Sequence, residues 1–576
     1  MLRHHKKFSI LIVVLLILAA MKSYLVPRSY ERVEAFRGAN IRQEIFAPFI
    51  AQSANSQNIT INIGGHTYNN LRDKIYLSDQ LMLMVPFDIL KESLNCSMNR
   101  YGVEQLIIER KNLQMILTLN SETMFVNGLQ VKLDSPYVQK NELFYIPLQA
   151  LADYVEISYN WDVENKKIVA LNSSDGSTYL PSRFDLREKN RMSIVKDQGK
   201  LGTCWAFASL SAIESSMLPQ ERFLFSPDHM SIRNSFSSDQ NSGGQYTMGM
   251  AYLAAWQGPV LETEDPYGDG KSPDNLSPSC HVQEMQIINA KEFTQIKEAV
   301  YKYGGVQTSI YSNFNNPSSK SQFYNSSRNA YCYKGQEKSN HDLVIVGWDD
   351  SFSASNFNTE PEGDGAFICQ NSWGSSFGEE GVFYVSYYDS NIGMHSISYT
   401  KIDSTSNYNE IYQSDLCGWV GQLGYNKNSI YAANVYTSKS AEKLEAVGLY
   451  ATEPGTKYEV YAVARFTDTK SLSQGRMVAK GSFDKAGYYT VKLDRFLKLA
   501  SKEKFAIVVH LIIPEGTKPL AVEFASSENT QLVDLNDGEG YISPDGSNWE
   551  SAEESQKCNI CLKAYTTHTD NEKVLN

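Results

Sequence analysis

A cysteine stands where a glycine-containing loop passes into a helical pattern. Cys204 follows the loop residues Gly199 and Gly202. Apolar residues at helical spacing come after it, at Ala208, Leu210, Ala212, Ile213 and Met217. A thiol at a helix N-terminus faces the positive end of the helix dipole, which lowers its pKa and favours the reactive thiolate. The alternative is a buried structural cysteine that packs like a small hydrophobic residue. The pattern makes Cys204 a candidate nucleophile.

A cysteine nucleophile needs a base that later returns the proton to the leaving amine, and imidazole does both near neutral pH. Four of the nine histidines fall in the same stretch of chain as Cys204: His229, His281, His341 and His395. His341 directly precedes the apolar β-pattern Leu343-Val344-Ile345-Val346, so its ring is expected at a strand end, where a cleft could lie. A structural histidine at a strand end is the alternative.

A polar residue follows the next apolar run along the chain. Asn371 comes after Ala366 to Cys369 and opens the segment NSWGSSFGEEG. On its own, Asn371 is equally a turn-forming residue. The order Cys204, His341, Asn371, with the histidine far downstream of the cysteine, agrees with the separation expected for thiol peptidases.

Three segments together resemble the papain family of cysteine peptidases: QGKLGTCWAFASLSAIESSM, NHDLVIVGWDD and NSWG. The resemblance implies that Gln198, six positions before Cys204, donates with the Cys204 backbone N–H to the oxyanion. It also implies that Asn371 accepts a hydrogen bond from His341 and that Trp373 shields this bond. The family usually has a second cysteine three residues before the nucleophile, and this chain has Leu201 there.

The same resemblance assigns a substrate-binding edge. Gly243 and Gly244 lie ahead of a second helical pattern, and in the family such glycines pair with the substrate main chain, as in strand addition. A simple turn is the alternative reading of paired glycines. The resemblance further implies that main-chain recognition dominates and that an apolar side-chain pocket lies beside the cleft. No cofactor is required for this chemistry.

An internal repeat precedes the peptidase segment. Val85-Pro86 and the helical pattern after it recur further along the chain as Ile146-Pro147 and a second helical pattern. Each copy is predicted to contain a hairpin, a short helix and a closing strand, at Leu106 to Glu109 and Lys167 to Leu171. The pattern resembles the copper amine oxidase N-terminal-like domain. Its only imidazole is His66, so no copper is inferred and a spacer or binding role is expected.

The C-terminal segment is rich in β-patterns separated by turn residues, which predicts a β-sandwich. The strands are predicted at Leu444 to Tyr450, Tyr458 to Val463, Tyr488 to Leu493 and Phe505 to His510. The segment resembles the lectin-like domain of clostridial surface cysteine peptidases, which implies contact with cell-wall or surface glycan or protein. Asp534, Asn536, Asp537 and Glu539 are candidate calcium ligands, and a solvated turn is the alternative interpretation of such a cluster. Cys558 and Cys561 have zinc-like spacing without a second ligand pair, so no metal site is predicted there.

Composition and targeting signals narrow the setting. The 53 basic and 65 acidic side chains give a net charge of −12 without a basic stripe, which argues against nucleic acid as a partner. Residues 1–21 carry a basic start and an apolar run, typical of a signal peptide or a retained membrane anchor. The chain is therefore expected to be exported, and to be secreted, membrane-anchored or held at the cell surface.

The sequence predicts a multidomain α+β protein. Its segments are a signal peptide or anchor (1–21), a linker (22–57), a two-repeat α+β module (58–172), a two-lobed peptidase with a helical lobe and a β-barrel lobe (173–403), and a β-sandwich (404–570). The predicted function is hydrolysis of peptide bonds in surface proteins through Cys204 and His341. The alternatives are a thiol transpeptidase and a non-catalytic adhesin or scaffold. Residues 22–178 are expected to be held or released by cleavage near 172–178.

Overall fold

The fold comes from a computed structural model of the chain, which divides into two compact units, residues 1–181 and 182–576. The leader (1–21) and the linkers (22–57 and 172–178) lie outside the described residues. Within the described part, no helix is long and apolar enough to cross a membrane. The structure describes residues 60–569 except 64–65, 70–73, 79–81, 94–96, 103, 111–112, 127–128, 134, 149–150, 152–157, 163–166, 172–179, 181, 220, 315–320 and 527–528.

The first unit is built mainly from short antiparallel strands. Its elements are β1 (Thr60–Ile63), β2 (His66–Asn69), β3 (Tyr76–Leu77), β4 (Leu83–Pro86), α1 (Phe87–Ser93), β5 (Ser97–Tyr101), β6 (Gln105–Arg110), β7 (Leu113–Thr118), β8 (Thr123–Val126), β9 (Leu129–Lys132), β10 (Val138–Lys140), β11 (Leu143–Pro147), β12 (Ser158–Asp162) and β13 (Lys167–Leu171). Strands β5 to β9 form a five-stranded meander, and β10-β11-β4-β3 form a second sheet.

The two copies of the repeat meet in the second of these sheets. Strand β4 pairs antiparallel with β11, so Val85 lies opposite Ile146, and both side chains are fully buried. The predicted closing strands are present as β6 and β13. Alternating residues of the meander, such as Leu106 and Ile108, face the same apolar core as α1. The predicted closing strands and the first helix are therefore present, whereas the helix predicted after Pro147 lies largely outside the described residues.

The peptidase segment has a helical part followed by a β-rich part. Its elements are β14 (Arg183–Asp185), α2 (Cys204–Met217), α3 (Pro227–Ile232), α4 (Tyr246–Ala254), β15 (His281–Ile288), α5 (Phe293–Lys302), β16 (Val306–Ile310), β17 (Tyr324–Asn325), β18 (Ala330–Tyr331), β19 (His341–Asp349), a 3₁₀ turn (Ala354–Asn356), β20 (Ala366–Gln370), β21 (Val382–Ser386) and β22 (Ser396–Asp403).

Helix α2 is central to this segment, because all its residues except Cys204 and Ser216 are buried. It packs against α3 and α4 on one side and against β16, β19 and β22 on the other. The strands run in the order β18-β21-β20-β19-β16-β22-β15. Strand β14 pairs with the far end of β19, which fixes the chain just after the 172–178 linker to the β-rich lobe. Helix α2 thus connects the helical part and the β-rich part of the segment.

The C-terminal segment is almost entirely β-structure. Its elements are β23 (Glu410–Tyr412), β24 (Gly421–Leu423), β25 (Ser429–Thr437), β26 (Glu442–Ala451), β27 (Thr456–Val463), a 3₁₀ turn (Thr469–Gln474), β28 (Arg476–Phe483), β29 (Ala486–Leu499), β30 (Lys504–Ile512), β31 (Leu520–Glu523), β32 (Gly540–Ser543), β33 (Glu550–Ser551), α6 (Ala552–Gln556), β34 (Asn559–Ile560) and β35 (Leu562–His568).

Two sheets face each other across one apolar core, as a β-sandwich requires. One has the order β28-β27-β30-β25-β32-β33, and the other contains β29, β26, β35 and β23. Val460 and Val509 from the first sheet meet Leu444 and Val447 from the second. The fold predicted from sequence, a papain-like peptidase between an α+β module and a β-sandwich, is confirmed.

The boundary between peptidase and sandwich is bridged by a continuous sheet. Strand β15 pairs with β22 on one edge and with β29 on the other, where Glu284 to Ile287 lie opposite Ala486 to Tyr489. This pairing joins the strands of both segments into one thirteen-stranded sheet. The sequence predicts two separate domains here. The shared sheet was not predicted, because pairing between strands far apart in the chain leaves no local sequence pattern.

Candidate active site

The loop before α2 is shaped by glycines. Gly199 has a positive φ of 61°, and a Cβ on Gly202 would lie 2.8 Å from the backbone nitrogen of Gly243. Thr203 precedes the helix and its hydroxyl is 2.7 Å from the Tyr267 hydroxyl. The helix begins at Cys204, as predicted, so the thiol lies in the first turn, where unpaired N–H groups point outward.

The surroundings of Cys204 act on its thiol in both directions. Desolvation raises the pKa of this partly exposed thiol to about 12, and the Asp342 carboxylate adds to that rise, whereas hydrogen bonds from the backbone N–H groups of Asp342, Trp205 and Cys204 itself favour the thiolate. An isolated thiolate is therefore disfavoured. Ionisation of the Cys204 thiol therefore needs a nearby proton acceptor that becomes positively charged as the thiolate forms.

His341 is the candidate acceptor of this proton. It opens β19, and its Nε2 lies 2.8 Å from Oδ1 of Asn371, which can only accept. Nε2 therefore carries the hydrogen and Nδ1 is left as the basic nitrogen. Burial lowers the pKa of His341 to about 4, and the bond to Asn371 acts in the opposite direction.

The desolvation of both groups favours a neutral pair at rest and a joint change of charge. Moving the proton from Cys204 to His341 creates opposite charges together, whose attraction offsets the desolvation that each would suffer alone. Separate ionisation of either group lacks this compensation. The arrangement suits a thiol that becomes nucleophilic by giving its proton to the imidazole.

Asn371 and Trp373 hold the imidazole in place. Asn371 follows β20 directly, and its Oδ1 also accepts the N–H of Ser372 at 2.8 Å. The Trp373 ring lies 4.7 Å from the His341 ring at 31° and packs edge-on against Phe377. His341 and Asn371 are both buried, and Trp373 packs against the His341 ring, so the histidine–asparagine hydrogen bond is shielded from solvent.

Gln198 is tied to the loop that carries Asn371. Its Oε1 accepts from the Ser372 hydroxyl at 2.6 Å, and its backbone N–H donates to the Ser372 carbonyl at 2.8 Å. Its Nε2 donates one hydrogen to the Leu201 carbonyl at 2.8 Å. The second N–H on Nε2 has no acceptor among the described residues, so it is available to an oxyanion beside Cys204.

The paired glycines lie against the nucleophile helix. A Cβ on Gly244 would fall 2.3 Å from the Trp205 indole nitrogen, and Gly243 has a φ of 75°. Both positions therefore require glycine. They precede α4 without belonging to a strand, and Gly244 is exposed, so their backbone can pair with an extended peptide.

A buried polar network that was not predicted from the sequence begins beside the base. Asp342 Oδ1 accepts from the Ser309 hydroxyl at 2.7 Å, and Oδ2 accepts from Gln307 Nε2 at 2.8 Å. The Gln307 Oε1 accepts from Ser209 and Tyr399, each at 2.9 Å. The sequence does show one member of this network, because NHDLVIVGWDD has an acidic residue directly after the histidine.

In the acidic turn considered for calcium, carboxylate oxygens accept hydrogen bonds from backbone N–H groups. Asp534 Oδ1 accepts from the N–H of Asn536 at 3.0 Å, and Glu553 accepts from the N–H groups of Gly538 and Glu539. In the described part of the chain, no group of three or more His, Cys, Asp or Glu is arranged to hold a metal ion. The seven described cysteines are all free thiols. Calcium binding stays a prediction.

Comparison with known families gives three matches along the chain. Residues 180–402 match the papain family of cysteine proteases, residues 411–566 match the lectin-like domain, and residues 53–170 match the copper amine oxidase N-terminal domain. All three resemblances inferred from the sequence are thereby confirmed.

Similar proteins agree with the match to the papain family. Pro-cathepsin H of Mus musculus is 27% identical over 259 residues, which cover 43% of this chain and 74% of the relative. Cathepsin K of Gallus gallus is 30% identical over 218 residues, and the alignment spans 36% of this chain and 59% of that protein.

Two solved structures cover both the peptidase and the C-terminal segment. The clostridial cysteine protease Cwp84 after propeptide cleavage has a TM-score of 0.61 and 26% identity, covering 68% of this chain and all of that chain. The cysteine protease and lectin-like domains of Cwp84, a surface layer associated protein of Clostridium difficile, have a TM-score of 0.59 and 25% identity over 68% of this chain and 90% of that one.

Proposed function

We propose that this chain, which is a papain-family cysteine protease through residues 180–402, cleaves proteins of the cell surface by way of an acyl-enzyme on Cys204. The observation that carries the proposal is the His341–Asn371 hydrogen bond of 2.8 Å, covered by Trp373, at the strand end facing the helix of Cys204. It fixes which imidazole nitrogen is basic.

The first half of the reaction forms the acyl-enzyme. Nδ1 of His341 takes the thiol proton, and the sulfur of Cys204 attacks the carbonyl carbon of the scissile bond. The carbonyl oxygen becomes an oxyanion that accepts from the Cys204 N–H and from Nε2 of Gln198. The imidazolium then gives its proton to the departing amine as the C–N bond breaks, leaving a thioester and a neutral histidine.

The second half returns the enzyme to its starting state. A water molecule gives a proton to His341 while its oxygen attacks the thioester carbon, and the same oxyanion donors act again. The carbon–sulfur bond breaks, the thiolate recovers the proton from the imidazolium, and a carboxylic acid is released. Peptide and water are consumed in equal numbers, without a redox step.

Location at the surface is supported by two features outside the peptidase. Residues 1–21 have the pattern of an export signal or anchor, and Cwp84 is a surface layer associated protein with the same pair of domains. The lectin-like domain would bind surface glycan and hold the enzyme near its substrates, raising their local concentration. Cleavage near 172–178 would leave an N-terminus already held by the pairing of β14 with β19.

Hydrolysis of a denatured protein by the purified chain under reducing conditions tests this function. We expect activity in the wild type, none in Cys204→Ala, and loss of activity after alkylation by a thiol-reactive epoxide. An added amine separates hydrolysis from transfer, because a transpeptidase would give amide products. Folded wild-type protein that leaves the substrate intact and Cys204 unalkylated would favour the adhesin or scaffold.

A further inference from the structure

A buried carboxylate near Cys204 has no role in the steps above. Asp342 follows His341 on β19, so its side chain points to the opposite face of the strand. Its backbone N–H points to the Cys204 sulfur, and its charge raises the pKa of that thiol. The carboxylate is therefore close to the reacting sulfur.

A tyrosine from the helical part lies within electrostatic range of the same carboxylate. Tyr246 opens α4, two residues after Gly244; burial raises the pKa of its hydroxyl, and the Asp342 charge adds to that rise. The Tyr246 ring stacks on His395 at 5.5 Å and 29°, and His395 immediately precedes β22. Tyr246 and His395 thus come together from the helical part and the β-rich part, with Tyr246 two residues after Gly244 in the chain and within electrostatic range of Asp342.

The hydrogen bonds of Asp342 hold it as an anion without neutralising it. Its partners are the hydroxyl of Ser309 and the amide of Gln307, both uncharged donors. Because Gln307 Oε1 accepts from Ser209 and Tyr399, its amide nitrogen must face Asp342. The carboxylate is thus fixed in direction, and each oxygen keeps a free lone pair.

A buried carboxylate without a cation is costly. Asp342 is 9% exposed, and it takes part in none of the ion pairs between described residues. Burial raises its pKa to about 6, which leaves it mostly ionised at neutral pH. A cation brought by a ligand would remove the cost of the unpaired charge.

We propose that Asp342, with Ser309 and Tyr246, is a recognition site for a lysine or arginine side chain of the protein substrate, close to the scissile bond. This inference rests on the proposed peptidase function and names its specificity. It differs from the apolar side-chain pocket that the family resemblance implies, because the charge of Asp342 penalises an apolar group that displaces water without pairing with it.

Matched peptides test the proposal. Each pair carries lysine or the neutral norleucine at one position, scanned across the scissile bond, and kcat/KM is measured with the purified chain. We expect lysine to be preferred about 10-fold to 100-fold at one position, the range for a charge pair partly shielded from water. In Asp342→Asn the ratio of kcat/KM for the lysine peptide to that for the norleucine peptide should fall to about one. If Asp342 had a purely structural role, the substitution would lower kcat/KM for both peptides equally and leave the ratio unchanged.

A binding measurement separates this proposal from the peptidase function. In Cys204→Ser, fluorescence anisotropy should show tighter binding of the lysine peptide, and Cys204→Ser/Asp342→Asn should bind both peptides alike. Asp349→Asn, at the far end of β19, is the matched control and should keep the preference. Equal binding of lysine and norleucine peptides to Cys204→Ser would overturn the proposal. A lysine preference in binding without any cleavage by the wild type would uphold it and refute the peptidase.

Discussion

The Gln198 side chain gives the sharpest prediction about transition-state stabilisation. Its Nε2 has one hydrogen bonded to Leu201 and a second available beside Cys204. In Gln198→Ala, the oxyanion loses this donor while the Cys204 N–H remains. Removal of one such donor costs about 2.7–4 kcal/mol, so kcat should fall by roughly 10²- to 10³-fold.

The tether from Ser372 supplies a graded companion variant. Its hydroxyl bond of 2.6 Å fixes the orientation of the Gln198 amide, although the backbone bond to the same residue remains. Loss of a neutral hydrogen bond costs about 0.5–1.5 kcal/mol. Ser372→Ala should therefore lower kcat by about 2-fold to 13-fold, far less than Gln198→Ala.

The assay pairs turnover of a fluorogenic peptide with the rate of Cys204 alkylation by iodoacetamide. Alkylation needs the thiolate but forms no oxyanion, so it should be unchanged in Gln198→Ala while kcat collapses. A kcat of Gln198→Ala that stays within about threefold of the wild type would refute this role of the donor. Alkylation that slows as much as turnover would refute it equally.

Three further predictions concern pH and stability. Because burial lowers the pKa of His341 to about 4, kcat/KM should fall as the pH drops through about 4. Asn371→Ala removes a hydrogen bond that raises this pKa, so the acidic limb of its pH–rate profile should move to lower pH. A chain ending at residue 403 leaves β15 without its partner β29, so it should aggregate or expose edge amides, which hydrogen exchange would show. Burial and the Asp415 charge raise the pKa of Glu523 to about 7, above its unfolded value near 4.5, so the folded state binds this proton more tightly than the unfolded state. Thermal stability measured by calorimetry should therefore decline from pH 4.5 to 7, and the decline should be smaller in Glu523→Gln.

The positions of the candidate catalytic residues at the ends of helices and strands could be predicted, because each lies in a contiguous motif tied to an element boundary. Cys204 marks the start of a helix, His341 the start of a strand, and Asn371 the end of one, and the structure has these boundaries. Local pattern is sufficient for such positions, since capping and periodicity are properties of neighbouring residues.

Features that depend on distant pairing could not be predicted from the sequence. The bridge between β15 and β29 joins strands whose own patterns are ordinary, and pairing partners are set by tertiary structure. Asp342 is visible in the sequence as an acidic residue directly after His341, but no local pattern indicates which residues it contacts. Its meaning depends on Gln307 and Ser309, which are distant in the chain and become neighbours only when β16 pairs with β19.

The acyl-enzyme on Cys204 can be detected directly by its mass. The purified chain is mixed with an activated peptide ester, quenched in acid within milliseconds to seconds, and analysed by intact-protein and peptide mass spectrometry. We expect a mass increase equal to the acyl group on the peptide containing Cys204, which appears before product and is absent in Cys204→Ala. Release of product by the wild type with the acyl group on another residue, or with none at any time, would contradict it.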